Sequence, residues 1–202
     1  MKFKLFGVPV YFSYSSIGML TLAVLASKDS SIIILVSLFS AVCHEAGHLY
    51  FISKFQGSVS AVNIYPFEVQ IKASSQTCKF CEELVINLAG VTVNLCLAII
   101  GKGLYMLSDV GLFEAVYICN VILLLFNLLP VRGLDGCNTL ELVLQSFVNQ
   151  ALIQKTLNII SILITVPIMV AGLYLAVISV SNYTLLFIAI YLIVLIIYKE
   201  MR

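Results

Sequence analysis

The chain reads as an all-α polytopic membrane protein, with about six transmembrane helices and a short membrane-associated β-hairpin. Three observations predict this. Of 202 residues, 61% are hydrophobic and only 10% are charged, whereas a soluble globular chain carries about 25% charged residues. Mean hydropathy is +1.10, so too little polar surface exists to face water. Six apolar runs approach the ~20 residues that cross a hydrocarbon core about 30 Å thick, and one interval alternates apolar and polar positions instead. The same figures exclude disorder and a disulfide-stapled secreted scaffold. A formal net charge of +1 leaves no nucleic-acid footprint, so the expected surroundings are the lipid bilayer and no nucleic acid.

In chain order, the first run, residues 13–26, is short. Lys2 and Lys4 ahead of it look like the charged start of a signal peptide. Pro9, Tyr11, Ser13, Tyr14, Ser15 and Ser16 interrupt the apolar stretch, so a retained first helix is expected. Runs 31–54, 83–107, 112–129, 156–180 and 183–198 supply the other five helices. Residues 57–75 place Val59, Ala61, Ile64, Val69 and Ile71 in strand-like alternation, which predicts the hairpin. Residues 134–148 are amphipathic with helical spacing. No run repeats another, and no soluble stretch is long enough for an appended domain, so 1–202 is expected to be one membrane domain.

Basic residues set the direction of insertion. With both termini in the cytosol, Lys2, Lys4, Lys54, Lys72, Lys79, Arg132, Lys155, Lys199 and Arg202 all lie on that side. Only Lys28 and Lys102 fall outside. The six cysteines show no framework spacing, and on the cytosolic side thiols stay reduced, so disulfides are not expected.

The chemistry concentrates in His44-Glu45-Ala46-Gly47-His48, inside the second run. Residues four apart share one face of a helix, so both imidazoles can reach one metal ion. Glu45 sits beside them and can act on a water as general base without becoming a ligand. These are the only two histidines in the chain. The bland alternative is a set of hydrogen-bonded polar groups holding helices together, at the several kcal/mol that charged groups cost in lipid. Catalytic zinc takes three protein ligands and keeps one position open. Among the acidic residues, Asp135 stands out in Asn127-Leu128-Leu129-Pro130-Val131-Arg132-Gly133-Leu134-Asp135-Gly136. The runs cross back and forth so that this segment returns to the face carrying the histidines. A helix N-cap is the alternative role for Asp135, and two histidines with one aspartate would also suit iron.

With these motifs in place, the chain resembles the site-2 proteases, a family of intramembrane zinc metalloproteases. His44-Glu45-Ala46-Gly47-His48 matches the family's H-E-x-x-H, and Asn127…Pro130…Leu134-Asp135-Gly136 matches its N-x-x-P-x-x-x-x-D-G. Leu88-Ala89-Gly90-Val91-Thr92-Val93-Asn94 is similar to A-G-P-x-x-N, Pro66-Phe67 to P-F-G, and Phe6-Gly7-Val8-Pro9-Val10 to the family's opening. Val91 replaces the family proline, and Glu68 stands where glycine is common. The layout is most like the small sporulation branch, which cleaves a membrane-associated pro-sigma factor. No CBS or PDZ domain is expected in this chain.

The resemblance implies a catalytic core at about 31–148, two further helices within 156–198, and one Zn2+ per chain held by His44, His48 and Asp135. It implies that Glu45 is the base and that Asn127 and Asn94 contact substrate backbone. It further implies a membrane-associated protein or peptide substrate, with a regulatory membrane protein in trans as another candidate partner. The location implied is a bacterial cytoplasmic membrane, with the site toward the cytosol. Residues 57–75 are a candidate strand for pairing with an unwound substrate. Cys78-Lys79-Phe80-Cys81 has no second pair and no thioredoxin-like setting, so neither a redox role nor a second zinc is expected. The rival reading is a metal-ion transporter or other metal-binding membrane protein. It would require metal-binding side chains at several depths, and the other runs offer almost none.

Overall fold

The computed structural model describes residues 2–5, 8–12, 31–55, 59–64, 69–73, 79–178 and 184–200. The chain divides into two compact units, Met1–Asn127 and Leu128–Arg202.

The first unit combines a sheet with three helices. Strands β1 (Lys2–Leu5), β2 (Val8–Phe12), β3 (Val59–Ile64) and β4 (Val69–Ala73) form one four-stranded sheet in that order. β1 pairs antiparallel with β2, and β3 antiparallel with β4. β2 and β3 run parallel, with Val10 opposite Val62 and Phe12 opposite Ile64. A parallel pair needs a long crossover. Part of that crossover is helix α1 (Ser31–Phe55).

Helix α2 (Phe80–Ser108) starts where the Lys79 backbone N–H donates to Glu82 Oε2 at 2.9 Å, capping an otherwise unpaired donor. It stops at Asp109, whose φ of 53° is left-handed and whose N–H donates to Tyr105 O at 2.8 Å. Helix α3 (Gly111–Asn127) follows immediately. α2 and α3 approach closely at Gly101, where a Cβ would lie 2.9 Å from Tyr117 N. Small residues at such crossings are what membrane helices use to bring backbones together.

Burial in this unit is reversed relative to a water-soluble bundle. Ser40, His44, His48, Asn94 and Asn120 are inside, while Leu35, Phe39, Val42, Ile99 and Ile122 are exposed. Lipid is the solvent that suits such a surface. Inside, Asn120 Nδ2 donates to Ser40 Oγ at 2.9 Å and to Val116 O at 2.8 Å, joining α1 to α3.

The second unit holds α4 (Asp135–Leu144), α5 (Gln150–Ile178) and α6 (Thr184–Glu200). Cys137, Ile153 and Leu157 form its core, with Leu140, Leu144 and Val148 against them. The segment before α4 is tied down by polar contacts. Arg132 N donates to Ser161 Oγ at 3.0 Å, and the Arg132 guanidinium donates to Gln154 O at 3.0 Å and to Gln154 Oε1. Gly133, at φ +94°, makes the turn a side chain would resist. Asn149 Oδ1 accepts from Leu152 N at 2.9 Å at the start of α5.

Three helices are long and apolar enough to cross a membrane: Ile32–Phe55, Phe80–Ser108 and Gln150–Ile178. Gly111–Asn127 and Leu185–Lys199 are apolar but shorter. The expectation of an all-α protein with about six transmembrane helices and a short hairpin is therefore corrected on both counts. Among the described residues there are three candidate spans: two of the six apolar runs yield helices of only 17 residues, Gly111–Asn127 and Thr184–Glu200, and a third run, 13–26, lies outside the described residues. The isolated hairpin is not present either. Residues 59–64 and 69–73 belong to a four-stranded sheet, completed by two N-terminal strands that local alternation does not reveal. The run 13–26, Pro66-Phe67, Glu68 and Cys78 lie outside the described residues.

Candidate metal centre

Helix α1 buries one stripe. Val36, Ser40, His44, Gly47 and His48 recur at helical spacing and are all buried, with Glu45 half-buried at the edge of the stripe. His44 and His48 are 6% and 9% exposed, and their Nε2 atoms face each other at 3.2 Å. Two imidazole nitrogens on a tetrahedral zinc, each about 2.0–2.1 Å from the metal, would stand about 3.3 Å apart. The observed spacing fits.

Helix α2 supplies what the histidines need behind them. His48 Nδ1 lies 2.8 Å from Ile86 O. A carbonyl only accepts, so Nδ1 carries the proton and Nε2 presents its lone pair. One turn further on is Gly90. A Cβ there would collide with His48 Nε2 and sit 2.5 Å from His44 Nε2. Any other residue would fill the space at the two nitrogens, so glycine keeps a cradle open where a metal would bind. Another turn on, Asn94 Nδ2 lies 3.0 Å from His44 Nδ1.

The structure thus brings together His44, Glu45, His48 and Asn94 within the first unit. Asn94 is 0% exposed, and its Nδ2 faces His44 Nδ1. Asn127 ends α3, and its Nδ2 donates to Leu123 O of its own helix at 3.0 Å. Asp135 belongs to the second unit, half-buried at the first position of α4. The N-cap position is held by Leu134 and has no side-chain cap, so Asp135 is not the N-cap. Its carboxylate occupies the first turn, where the helix dipole favours an anion. Gly136 is required beside it, since a Cβ there would collide with Leu128 O. Cys137 packs in the core of its unit, where burial pushes its thiol up to about 11. It is a packing residue and not a thiolate.

Two participants escape a reading of the sequence, the Ile86 carbonyl and the Gly90 gap. A signal exists for the second: Gly90 lies four residues before Asn94, on the same helix face.

Fold and site together define a class: an integral membrane protein with a buried histidine pair suited to a metal. No family model and no curated protein matches the chain. Among solved structures it is similar to the Site-2 Protease from Methanocaldococcus jannaschii, with a TM-score of 0.73 at 21% sequence identity, over 100% of this chain and 95% of that one. At that identity the likeness is one of fold.

Proposed function

We propose that this protein is an intramembrane zinc metalloendopeptidase that hydrolyses a peptide bond in or near the membrane-embedded segment of a protein substrate. The observation that carries the reading is the pair of Nε2 atoms 3.2 Å apart over the Gly90 gap, with Glu45 next to them on α1. His44 and His48 would hold the metal, with Asp135 as the third ligand that the resemblance implies. Zinc held there would supply Lewis-acid polarisation of a carbonyl and of a water. The Glu45 carboxylate takes a proton from that water and returns it to the leaving amine as the C–N bond breaks. Hydroxyl thus ends on the carbonyl carbon and hydrogen on the amine. Asn127 lies near enough in sequence to the Pro130–Asp135 segment to contact substrate backbone there.

The finer reading is a site-2-type protease with both termini and the active site toward the cytosol of a bacterial membrane, as the distribution of basic residues supports. The resemblance to the sporulation branch makes a membrane-associated pro-sigma factor the first substrate to try, with a regulatory membrane protein controlling access in trans. The test is metal content per chain in purified wild type, His48→Ala and Asp135→Ala, alongside cleavage of a membrane-anchored reporter by wild type and Glu45→Gln. About one zinc in wild type, lost in both ligand variants, with Glu45→Gln loaded but inert, is the expected pattern. Wild type without zinc, or an active Glu45→Gln, sinks the proposal. Normal zinc in Asp135→Ala would move the third ligand elsewhere.

A further inference from the structure

We propose, independently of the metal centre, that the second unit holds one anionic phospholipid, with an acyl chain in the groove between α5 and α6 and the phosphate at Lys155 and Lys199.

The groove encloses about 210 Å3. Thr165 and Ile196 are its buried floor, and Ile162, Val166, Val170 and Ile197 are its exposed rim. The Thr165 hydroxyl oxygen is itself buried, so the groove presents apolar side chains. The two helices meet beyond it, where a Cβ on Gly172 would lie 2.9 Å from the Leu186 backbone. Pro167 falls within the groove's span, and a proline inside a helix bends it, leaving room for the pair to part. An apolar space of roughly 150 Å3 already stays dry and takes a hydrocarbon guest. Along α5 the lining runs from Ile162 to Val170, about 12 Å at the helical rise, which suits a length of extended acyl chain.

Two observations select this guest. A docked membrane helix needs small residues for close approach, or polar side chains for hydrogen bonds. The lining offers neither, being isoleucine, valine and methionine around one buried threonine. The second observation is charge. Lys155 is exposed and lies seven residues before Ile162, on the same face of α5. On α6, Lys199 lies three residues after Ile196. The Lys199 charge reaches Cys137, which packs with Ile153 and Leu157 of the first turns of α5. Both lysines therefore share one end of the helix pair. Across α5, α6 and the two residues that follow, the charged groups are Lys155, Lys199, Arg202 and a single acid, Glu200. Arg132 and Glu141, at the same end, are each bonded to Gln154. A chain-sized groove leading to a basic end matches a lipid of net negative charge better than a zwitterionic one.

The chain contains no tryptophan, so one introduced indole is a unique reporter. Full-length Val170→Trp, on the groove rim, and Leu163→Trp, exposed outside it, are placed in phosphatidylcholine vesicles. The vesicles carry a minor share of brominated phosphatidylglycerol or brominated phosphatidylcholine. Val170→Trp should be quenched at several-fold lower content by the phosphatidylglycerol, while Leu163→Trp responds to both lipids alike. Adding Lys155→Gln and Lys199→Gln should weaken that preference by roughly fivefold for each lysine. Equal quenching of Val170→Trp by the two lipids overturns the proposal, as does a preference that survives loss of both lysines. Val170→Trp quenched by neither lipid also overturns it, and is the result expected if a partner helix or a second copy covers the groove. Should Val170→Trp fail to fold, native mass spectrometry of the unsubstituted protein decides. One phosphatidylglycerol retained per chain in preference to phosphatidylcholine supports the site, and equal retention of both, or of neither, overturns it.

Discussion

Among the described residues the first unit buries more polar side chains than the second, which buries only Ser161 and Thr165. In the first, five polar residues from α1, α2 and α3 sit inside: Ser40, His44, His48, Asn94 and Asn120. In the second, the fully buried large side chains include Ile153, Leu157, Leu192 and Leu195. Lipid tails are as apolar as leucine, so apolar packing within a bilayer gains little from desolvation and relies on close fit. Polar groups in the same place must be paired or they cost several kcal/mol. The second unit relies more on apolar fit, with Arg132, Gln154 and Ser161 as its polar ties, and the first more on paired polar groups. Those partners are also the ones that equip it to hold a metal.

Five substitutions, the last read by a pH titration, would break or sharpen that contrast. The largest effect is expected at His48→Ala, which should abolish zinc uptake in elemental analysis without altering hydrogen-exchange protection of α5 and α6. Leu157→Ala should do the reverse, costing about 2–5 kcal/mol in denaturant titration while zinc affinity of the folded protein stays put. A Leu157 variant that lost zinc would mean the two units do not divide the work this way. Gly90→Ala pushes a methyl group into the gap at the two nitrogens and should weaken zinc binding by about 1–3 kcal/mol in chelator competition. Ser40→Ala removes one polar partner away from the histidines, and an average inter-helix bond in a membrane is worth only about 0.6 kcal/mol. Thermal unfolding should barely move. Smallest is a pH effect in the second unit. Burial raises the Cys137 thiol from its ordinary 9.0 to about 11, so the folded state holds this proton more tightly than the unfolded chain. Stability should be full below pH 9 and decline as pH climbs toward 11, and Cys137→Ala should flatten that decline.

How far the sequence is legible follows from the range of each interaction. His44, Glu45 and His48 are readable because a helix places residues four apart on one face, a rule that needs no tertiary information. The strand alternation in 57–75 is readable for the same reason. Strands β1 and β2 are not, since four and five residues after a basic start carry the same local pattern as the beginning of a helical span. What makes β2 a strand is pairing with residues some fifty positions away, Val10 with Val62 and Tyr11 with Asn63, and β1 then pairs with β2. Asn94 stands out in the sequence as a site residue, but its contact with the His44 ring is not legible there. Nothing local to α2 says which way an amide faces when its partner is on α1. Hydropathy marks where a chain avoids water and not where a helix ends, so the runs 112–129 and 183–198 read as spans and fold as apolar helices of 17 residues.

The partners on α2 fall at residues 86, 90 and 94: an oxygen, a gap and an amide, each one turn from the next. The two rings on α1 are one turn apart as well, running the other way. Such a pair of ladders works like a key cut to a single depth. A slip of α2 by one turn would set the amide over the gap's position and leave an imidazole against bare backbone. Loading with metal would then report that the helices had inserted and docked in the right alignment. The ion would serve as an assembly checkpoint, seated only in copies whose helices had docked in register.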